Sequence, residues 1–327
     1  MSRSRRPGSA IALAVALALV GGACGDDDTS GASAGTSPGE TANASGGDDW
    51  PDKLVFGAVP SEQATALQQS YAPIIDLIEE DLGVSVEFFQ ATDYAGIIEA
   101  QIAGRVDIAQ FGPFSYVIAK SNGAEIEPAG ALIDEPGAEP GYQSYGITRA
   151  DNAEIESLED FAGMRVCFVD PGSTSGYLYP TAGLLDVGID PETGISPTFA
   201  GGHDASVISV NNGDCDAGFA FDNMVDEELI ASGDIEEGDI KVVWKSEVIA
   251  GSPVAIRSDL PADLLDALHE LFVEKANSDY LVANGFCEEG DCGITDEGAW
   301  GYAPVDDGFY DGVRAVCEVT KADACEG

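Results

Sequence analysis

The chain has 327 residues, with Lys+Arg 14 against Asp+Glu 59 and a formal net charge of -45, and 44% of its residues are hydrophobic. That composition supplies a sizeable core, and it lacks the basic footprint that nucleic-acid binding requires, so nucleic acid is excluded as a partner. The acidic clusters, Asp26 to Asp28 and Asp306-Asp307, lack the alternating ligands and turn glycine of a calcium loop, and the acidic balance reads as a solvated, solubilising surface.

Arg3, Arg5 and Arg6 precede a short apolar run from Ala10 to Val20. The run is shorter than the ~20 residues a bilayer span needs, so residues 1–23 read as a secretory signal. Ser4-Arg5-Arg6 has a twin-arginine element, but Pro7-Gly8-Ser9 lacks the hydrophobic follow-up. The run ends Val20-Gly21-Gly22-Ala23-Cys24, which resembles a bacterial lipobox with Cys24 as the lipidated residue, although Gly21 stands where Leu is usual. Residues 25–49 hold small and acidic residues with no large apolar side chain and cannot bury enough surface to fold, and residues 24–50 are the expected tether. As a tether they would span roughly 25–30 Å. The expected location is extracytoplasmic, on the outer face of the cell membrane and anchored there by lipid.

Setting Cys24 aside leaves Cys167, Cys215, Cys287, Cys292, Cys317 and Cys325, an even number for an exported protein. Sequence alone leaves the connectivity open. Nearness along the chain favours Cys287 with Cys292 and Cys317 with Cys325, leaving Cys167 for Cys215. Only His203 and His269 could join cysteines in a metal site, and no Cys-x-x-Cys occurs, so no metal and no cofactor is expected.

In the folded part, Lys53 to Ala58 reads as a strand. From Ser61 to Asp81, apolar residues recur at helical spacing (Leu67, Tyr71, Ile74, Ile78), and Gly83 follows. Val84 to Phe89 is a strand, Asp93 to Ala103 a helix and Val106 to Phe111 a strand. Gly112-Pro113 opens a further helix, proline suiting its first position. Tyr142 to Thr148 reads as a strand leaving this first set. Ser157 to Asp160 is a capping box, and Met164 to Val169 is a strand. Pro171 to Gly176 is a turn, followed by helical material to Val187 that kinks or restarts at Pro180. Thr198 to Ala200 (strand), His203 to Val210 (helix), Ala217 to Phe221 (strand), Ile240 to Trp244 and Val254 to Ile256 follow. Pro261 to Ala276 and Asp307 to Val319 are helices. Alternating strands and helices imply α/β layers with parallel sheets, crossed near residues 146–150 and again near 248–253. Two lobes are therefore expected, 51–146 plus 251–327 and 147–250, with strand-to-helix loops of both lining a cleft.

The loop Asp170-Pro171-Gly172-Ser173-Thr174-Ser175-Gly176 puts three hydroxyls at a helix start. With the free N–H groups and the helix dipole they form an oxyanion cradle without cations. The same residues also serve as an ordinary N-cap. Thr174 stands where a Gly-x-Ser-x-Gly elbow needs serine, and no Lys follows Gly176 as in a phosphate-binding nucleotide loop. Gly202-His203 opens a helix after a strand, and Tyr94, Tyr142 and Asp222 are further candidates to face the cleft. An acid beside an anion makes sense where the ligand carries a proton or an amine.

The stretches Ala91 to Ile98, Phe111-Gly112-Pro113-Phe114-Ser115-Tyr116-Val117 and Asp170 to Gly176, with His203 some thirty residues on, resemble the phosphonate/phosphite/phosphate-binding family of ABC-transporter solute receptors. The resemblance implies a two-lobed type II periplasmic-binding-protein fold that closes on a small phosphorus oxyanion. It implies a permease partner, no catalysis, and a protein acting as a monomer. By that match Ser173, Thr174, Ser175 and His203 hold the oxyanion from one lobe, and Tyr94 and Tyr142 from the other lobe and the hinge. Aminoalkylphosphonate binders of the family hold the amine with acids. Asp222 fits one such position, and Gly251-Ser252-Pro253 occupies the other, which implies a ligand without an amine. The cysteine-rich part from Gly285 departs from the family. A sulfonate or vitamin-precursor receptor of the same fold, and a hydrolase using His203 with Asp170 or Asp222, are the competing readings.

Overall fold

A computed structural model of the chain describes Gly47, residues 49–288, Gly290, residues 292–295, residues 297–322 and Cys325. The expected signal segment, Cys24 and nearly all of the expected tether lie outside the described residues.

In chain order the strands begin with β1 (Lys53–Ala58), β2 (Ser85–Phe89), β3 (Ile108–Gln110), β4 (Ile126–Ile133), β5 (Gly141–Tyr142) and β6 (Ser144–Arg149). They continue with β7 (Arg165–Phe168), β8 (Ser196–Phe199), β9 (Ala217–Phe221), β10 (Ile240–Lys245), β11 (Ile249–Ala250), β12 (Pro253–Arg257) and β13 (Gly301–Ala303). The helices are α1 (Ala64–Leu82), α2 (Tyr94–Ile102), α3 (Pro113–Ser121), α4 (Tyr179–Asp186) and α5 (His203–Asn211). After them come α6 (Leu229–Ser232), α7 (Ala262–Glu270), α8 (Ser278–Asn284) and α9 (Asp311–Thr320).

Among the described residues these strands form a six-stranded sheet, β13-β4-β12-β3-β1-β2, a five-stranded sheet, β10-β6-β9-β7-β8, and a two-stranded ribbon, β11-β5. Both large sheets are mixed, which corrects the expectation of parallel sheets. β1 runs parallel to β2 and β3, but β12 lies antiparallel between β3 and β4. In the second sheet β7 is parallel to β8 and β9, while β6 is antiparallel to β9 and β10. The antiparallel members include the strands that carry the chain between sheets. Ser144–Arg149 already pairs in the second sheet, so the outward passage runs through Gly141–Tyr142, earlier than residues 146–150. The return passage, Ile249–Ala250, pairs with it.

Strand alternation sets the cores. Leu54 and Phe56 pack with Tyr71, Ile74 and Ile78 of α1, while Val55 faces the opposite cluster with Ile97 and Val106. Both faces of the first sheet are thus covered. Fully burying side chains of this size contributes about 1.5–3 kcal/mol each. α1 begins three residues later than its periodicity suggests, and Ser61 to Gln63 instead run outside the helix toward the cleft. Strand β4 was not visible in the sequence, because Pro128 and Gly130 interrupt it. They sit where its register with β12 shifts, and there a missing N–H is tolerated. The helix expected after Gly176 does restart: a single π turn, Thr174–Leu178, precedes α4, with Pro180 in the first turn of that helix.

The structure joins Cys167 to Cys215, Cys287 to Cys292 and Cys317 to Cys325, with Cα separations of 5.8, 5.5 and 5.7 Å. The first bridge closes 48 residues of the second lobe, worth about 4 kcal/mol in a loop-entropy account. The second and third staple segments at the C-terminal end of the chain.

Candidate functional site

Strand β7 delivers the chain to the turn at Asp170, and Ser173 caps the π turn that follows. Its Oγ accepts from Gly176 N–H at 3.1 Å. His203 opens α5 beside it. The backbone N–H of Phe221, at the end of β9, donates to His203 Nδ1 at 3.2 Å. The lone pair is therefore on Nδ1 and the ring proton on Nε2. Nε2 lies 3.3 Å from Ser173 Oγ. Ser173 Oγ thus accepts from two directions, leaving its own proton to donate. Burial pushes the imidazole pKa down to about 3, so the ring is a neutral donor near neutral pH.

These groups border an enclosed space of about 20 Å³, far below the roughly 300–1,000 Å³ typical of sites for larger organic ligands. Six of the sequence candidates line it: Tyr94, Tyr142, Ser173, Thr174, Ser175 and His203. The Tyr142 phenol bonds to the Thr174 and Ser175 hydroxyls. Burial holds its pKa well above the usual phenol value, the nearby Glu297 charge raises it further, and it stays protonated. No Lys or Arg lines the space among the described residues.

Asp222, the seventh candidate, is not among the residues lining it in this structure. Its carboxylate is taken up locally, accepting from Gln143 N–H at 2.9 Å and from its neighbour Asn223 N–H at 3.1 Å. It fastens the end of β9 to the passage strand instead.

Four other polar residues complete the wall: Ser61, Gln110, Ser252 and Glu297. Ser252 Oγ is buried, with 1% of the residue exposed, and has no hydrogen-bond partner among the described residues. An orphaned hydroxyl facing a cavity is a ligand donor in waiting, since leaving it unpaired costs about 1–3 kcal/mol. Its sequence signal was only a serine in the return passage. Glu297 comes from the cysteine-rich segment and had no signal.

The two lobes meet around this space by capping each other's helices. Phe114 N–H, in the first turn of α3, donates to Thr174 Oγ1 at 2.8 Å. Tyr94 N–H, at the start of α2, donates to the Asp170 carboxylate. Gln63, just before α1, donates to the Asp204 carboxylate. In the other direction His203 N–H donates to Ser61 O at 2.6 Å. Burial raises the pKa of Asp170 and Asp204, and these N–H bonds hold it partly down. Backbones approach closely here: a Cβ on Gly202 would sit 3.0 Å from Ser61 O, and one on Gly112 3.1 Å from Thr174 Oγ1.

Chemically the site binds; it is not built to transform. The His203 lone pair is occupied by Phe221 N–H, so it cannot take the Ser173 proton as a general base must. A ring of neutral donors suits an anion that has to be released again.

Residues 56–307 match the family described as ABC transporter, phosphonate, periplasmic substrate-binding protein. A phosphate-import protein of Mycolicibacterium smegmatis is 48% identical over 321 residues, 96% of each chain. The crystal structure of a binding-protein component of an ABC phosphonate transporter from Pseudomonas aeruginosa superposes with TM-score 0.69 at 25% identity, covering 84% of this chain and 87% of that one. A Prochlorococcus marinus protein in complex with methylphosphonate gives TM-score 0.69 at 19% identity, covering 83% and 99%, a likeness of fold.

Thr174→Ala should lower the unfolding free energy by about 1–3 kcal/mol, because the buried Phe114 N–H loses its acceptor. Thr174→Ser should restore most of it; urea unfolding that does not distinguish the three proteins would leave Thr174 a passive helix start. For His203, the unfolded chain takes up a proton below pH 6.5 that the folded chain refuses until about pH 3. Its contribution is therefore intact above pH 6.5 and falls as the pH drops, by up to about 1.4 kcal/mol per unit. Urea midpoints at pH 7 and pH 5 should show wild type losing about 2 kcal/mol relative to His203→Gln over that interval.

Proposed function

Because the chain belongs to the phosphonate family of periplasmic substrate-binding proteins of ABC transporters, we propose that its closed site holds one phosphorus oxyanion without an amine, inorganic phosphate foremost. As a family member it is the extracytoplasmic receptor that captures solute for an importer permease. The observation that carries the ligand reading is the wall of neutral donors: the hydroxyl of Ser173, whose proton is left free because His203 Nε2–H donates to its oxygen, the hydroxyl of Ser252 and the phenol of Tyr142, around a space of about 20 Å³. A tetrahedral oxyanion is matched by donors converging from several sides, and a space this small excludes long alkyl or aromatic substituents. The relative from Mycolicibacterium smegmatis, a phosphate-import protein by name, supports phosphate over the aminoalkylphosphonates.

Ligand contact is assigned to Tyr94, Tyr142, Ser173, Thr174, Ser175, His203 and Ser252. The lobes of this proposal are drawn at the paired passages, a few residues before the 146/147 boundary that the sequence suggests. Opening and closing turn on that ribbon. The protein is proposed to act as a monomer, held at the membrane by a lipid on Cys24.

Calorimetric titration of residues 43–327, one compact unit, should show phosphate, phosphite or methylphosphonate binding tightly and sulfate weakly. Preference for 2-aminoethylphosphonate would overturn the amine-free reading, and silence toward all five would overturn the ligand class. Cys24→Ala should move the protein from the membrane fraction to the soluble one; retention at the membrane would end the lipid assignment.

A further inference from the structure

One carboxylate stands among the neutral donors. Glu297 lines the cavity with Tyr142, His203 and Ser252. It sits half-buried on the loop between α8 and β13, in the segment that carries the Cys287–Cys292 bridge. The loop is not loosely hung: Ile294 and Ala299 pair across it, and Glu297 N–H donates to Thr295 Oγ1 at 3.2 Å. The second lobe grips it as well. Asn223, immediately after β9, donates from Nδ2 to Glu297 O at 2.9 Å, and to Glu228 Oε1 at 3.2 Å. The Glu297 charge reaches the cavity, since it raises the pKa of the Tyr142 and Tyr310 phenols.

The acceptor inventory of the wall is short. Serine, threonine and tyrosine hydroxyls can donate to an anion, and His203 Nε2–H is spent on Ser173 Oγ. Gln110 Oε1 accepts from the Tyr302 hydroxyl at 2.9 Å and carries no charge. Ser61 O accepts from His203 N–H. A carboxylate beside a fully ionised oxyanion repels it. Beside an oxyanion that keeps an O–H, the same carboxylate gains a charge-assisted hydrogen bond. Phosphate and phosphonates hold such a proton near neutral pH, and sulfate does not.

We infer that Glu297 accepts a hydrogen bond from the protonated oxygen of the bound phosphorus oxyanion and so discriminates against sulfate. The inference rests on the ligand class proposed above. It assigns the stapled C-terminal segment a part in specificity, delivered as the second lobe engages it through Asn223.

The test is titration of the full chain, as wild type, Glu297→Gln and Glu297→Ala, with inorganic phosphate, sulfate and 2-aminoethylphosphonate at one pH and ionic strength. Wild type should prefer phosphate to sulfate by more than a hundredfold. In E297Q that ratio should fall at least tenfold, with phosphate weaker and sulfate stronger, and tighter sulfate binding also shows that the variant is folded. E297A should weaken phosphate more than tenfold and leave sulfate no weaker. An unchanged ratio in both variants, or loss of both ions together, overturns the inference. A wild-type preference for 2-aminoethylphosphonate that disappears in E297Q assigns the carboxylate to an ammonium group and also overturns it, while leaving the receptor reading intact. Wild type that binds none of the three ions overturns the ligand class itself, and the inference with it.

Discussion

A helix begins with N–H groups that its own carbonyls cannot satisfy, and in this protein those groups are satisfied across the cleft. Thr174 and Asp170 of one lobe serve α3 and α2 of the other. Asp204 serves the residue before α1, and Ser61 returns the favour at α5. Closure therefore has a polar part. Apolar groups are buried there too, since Val169, Leu178 and Tyr179 of the second lobe share a cluster with Phe114, Tyr310 and Val313. The same convergence of helix starts explains why donors crowd the central space.

The site also answers an electrostatic difficulty. A chain with net charge -45 repels an anion at long range, although salt screens that repulsion beyond a Debye length of about 8–10 Å. The recognition energy must come from contacts. Neutral donors give those contacts without the strong hold that lysine or arginine would add. His203 is kept in that role by two facts: burial, which keeps it uncharged, and Phe221 N–H, which fixes the tautomer.

Much of this was legible in the sequence, because the decisive features are local. Three hydroxyls after a strand, and a histidine at a helix start, announce an anion cradle through the chemistry of N-termini alone. The periodicity of α1 and the capping box at Ser157 are equally short-range. What stayed hidden depends on distant pairing. β4 contains Pro128 and Gly130 and is a strand only because β12 and β13 flank it. Asp222 looked directed at the ligand, yet the N–H of Gln143, brought alongside by the passage strand, claims it. Ser252 carries no distinctive spacing, and its meaning comes from having no partner in a buried wall. Glu297 reaches the cavity by way of a bridged C-terminal segment that no periodicity connects to it.

The ribbon of β5 and β11 holds one more consequence. Tyr142 lies within it, paired with Ile249, and its phenol also reaches Thr174 and Ser175. The proposed ligand donor thus sits on the proposed pivot itself. When the lobes swing apart, points far from the axis travel farthest and points on it hardly move. On the proposed assignment the contacts from Ser173, His203 and Tyr94 would separate early, while Tyr142 would stay in place like a doorpost beside a moving door. Departure of the solute then has an order, with the pivot as the last surface it leaves.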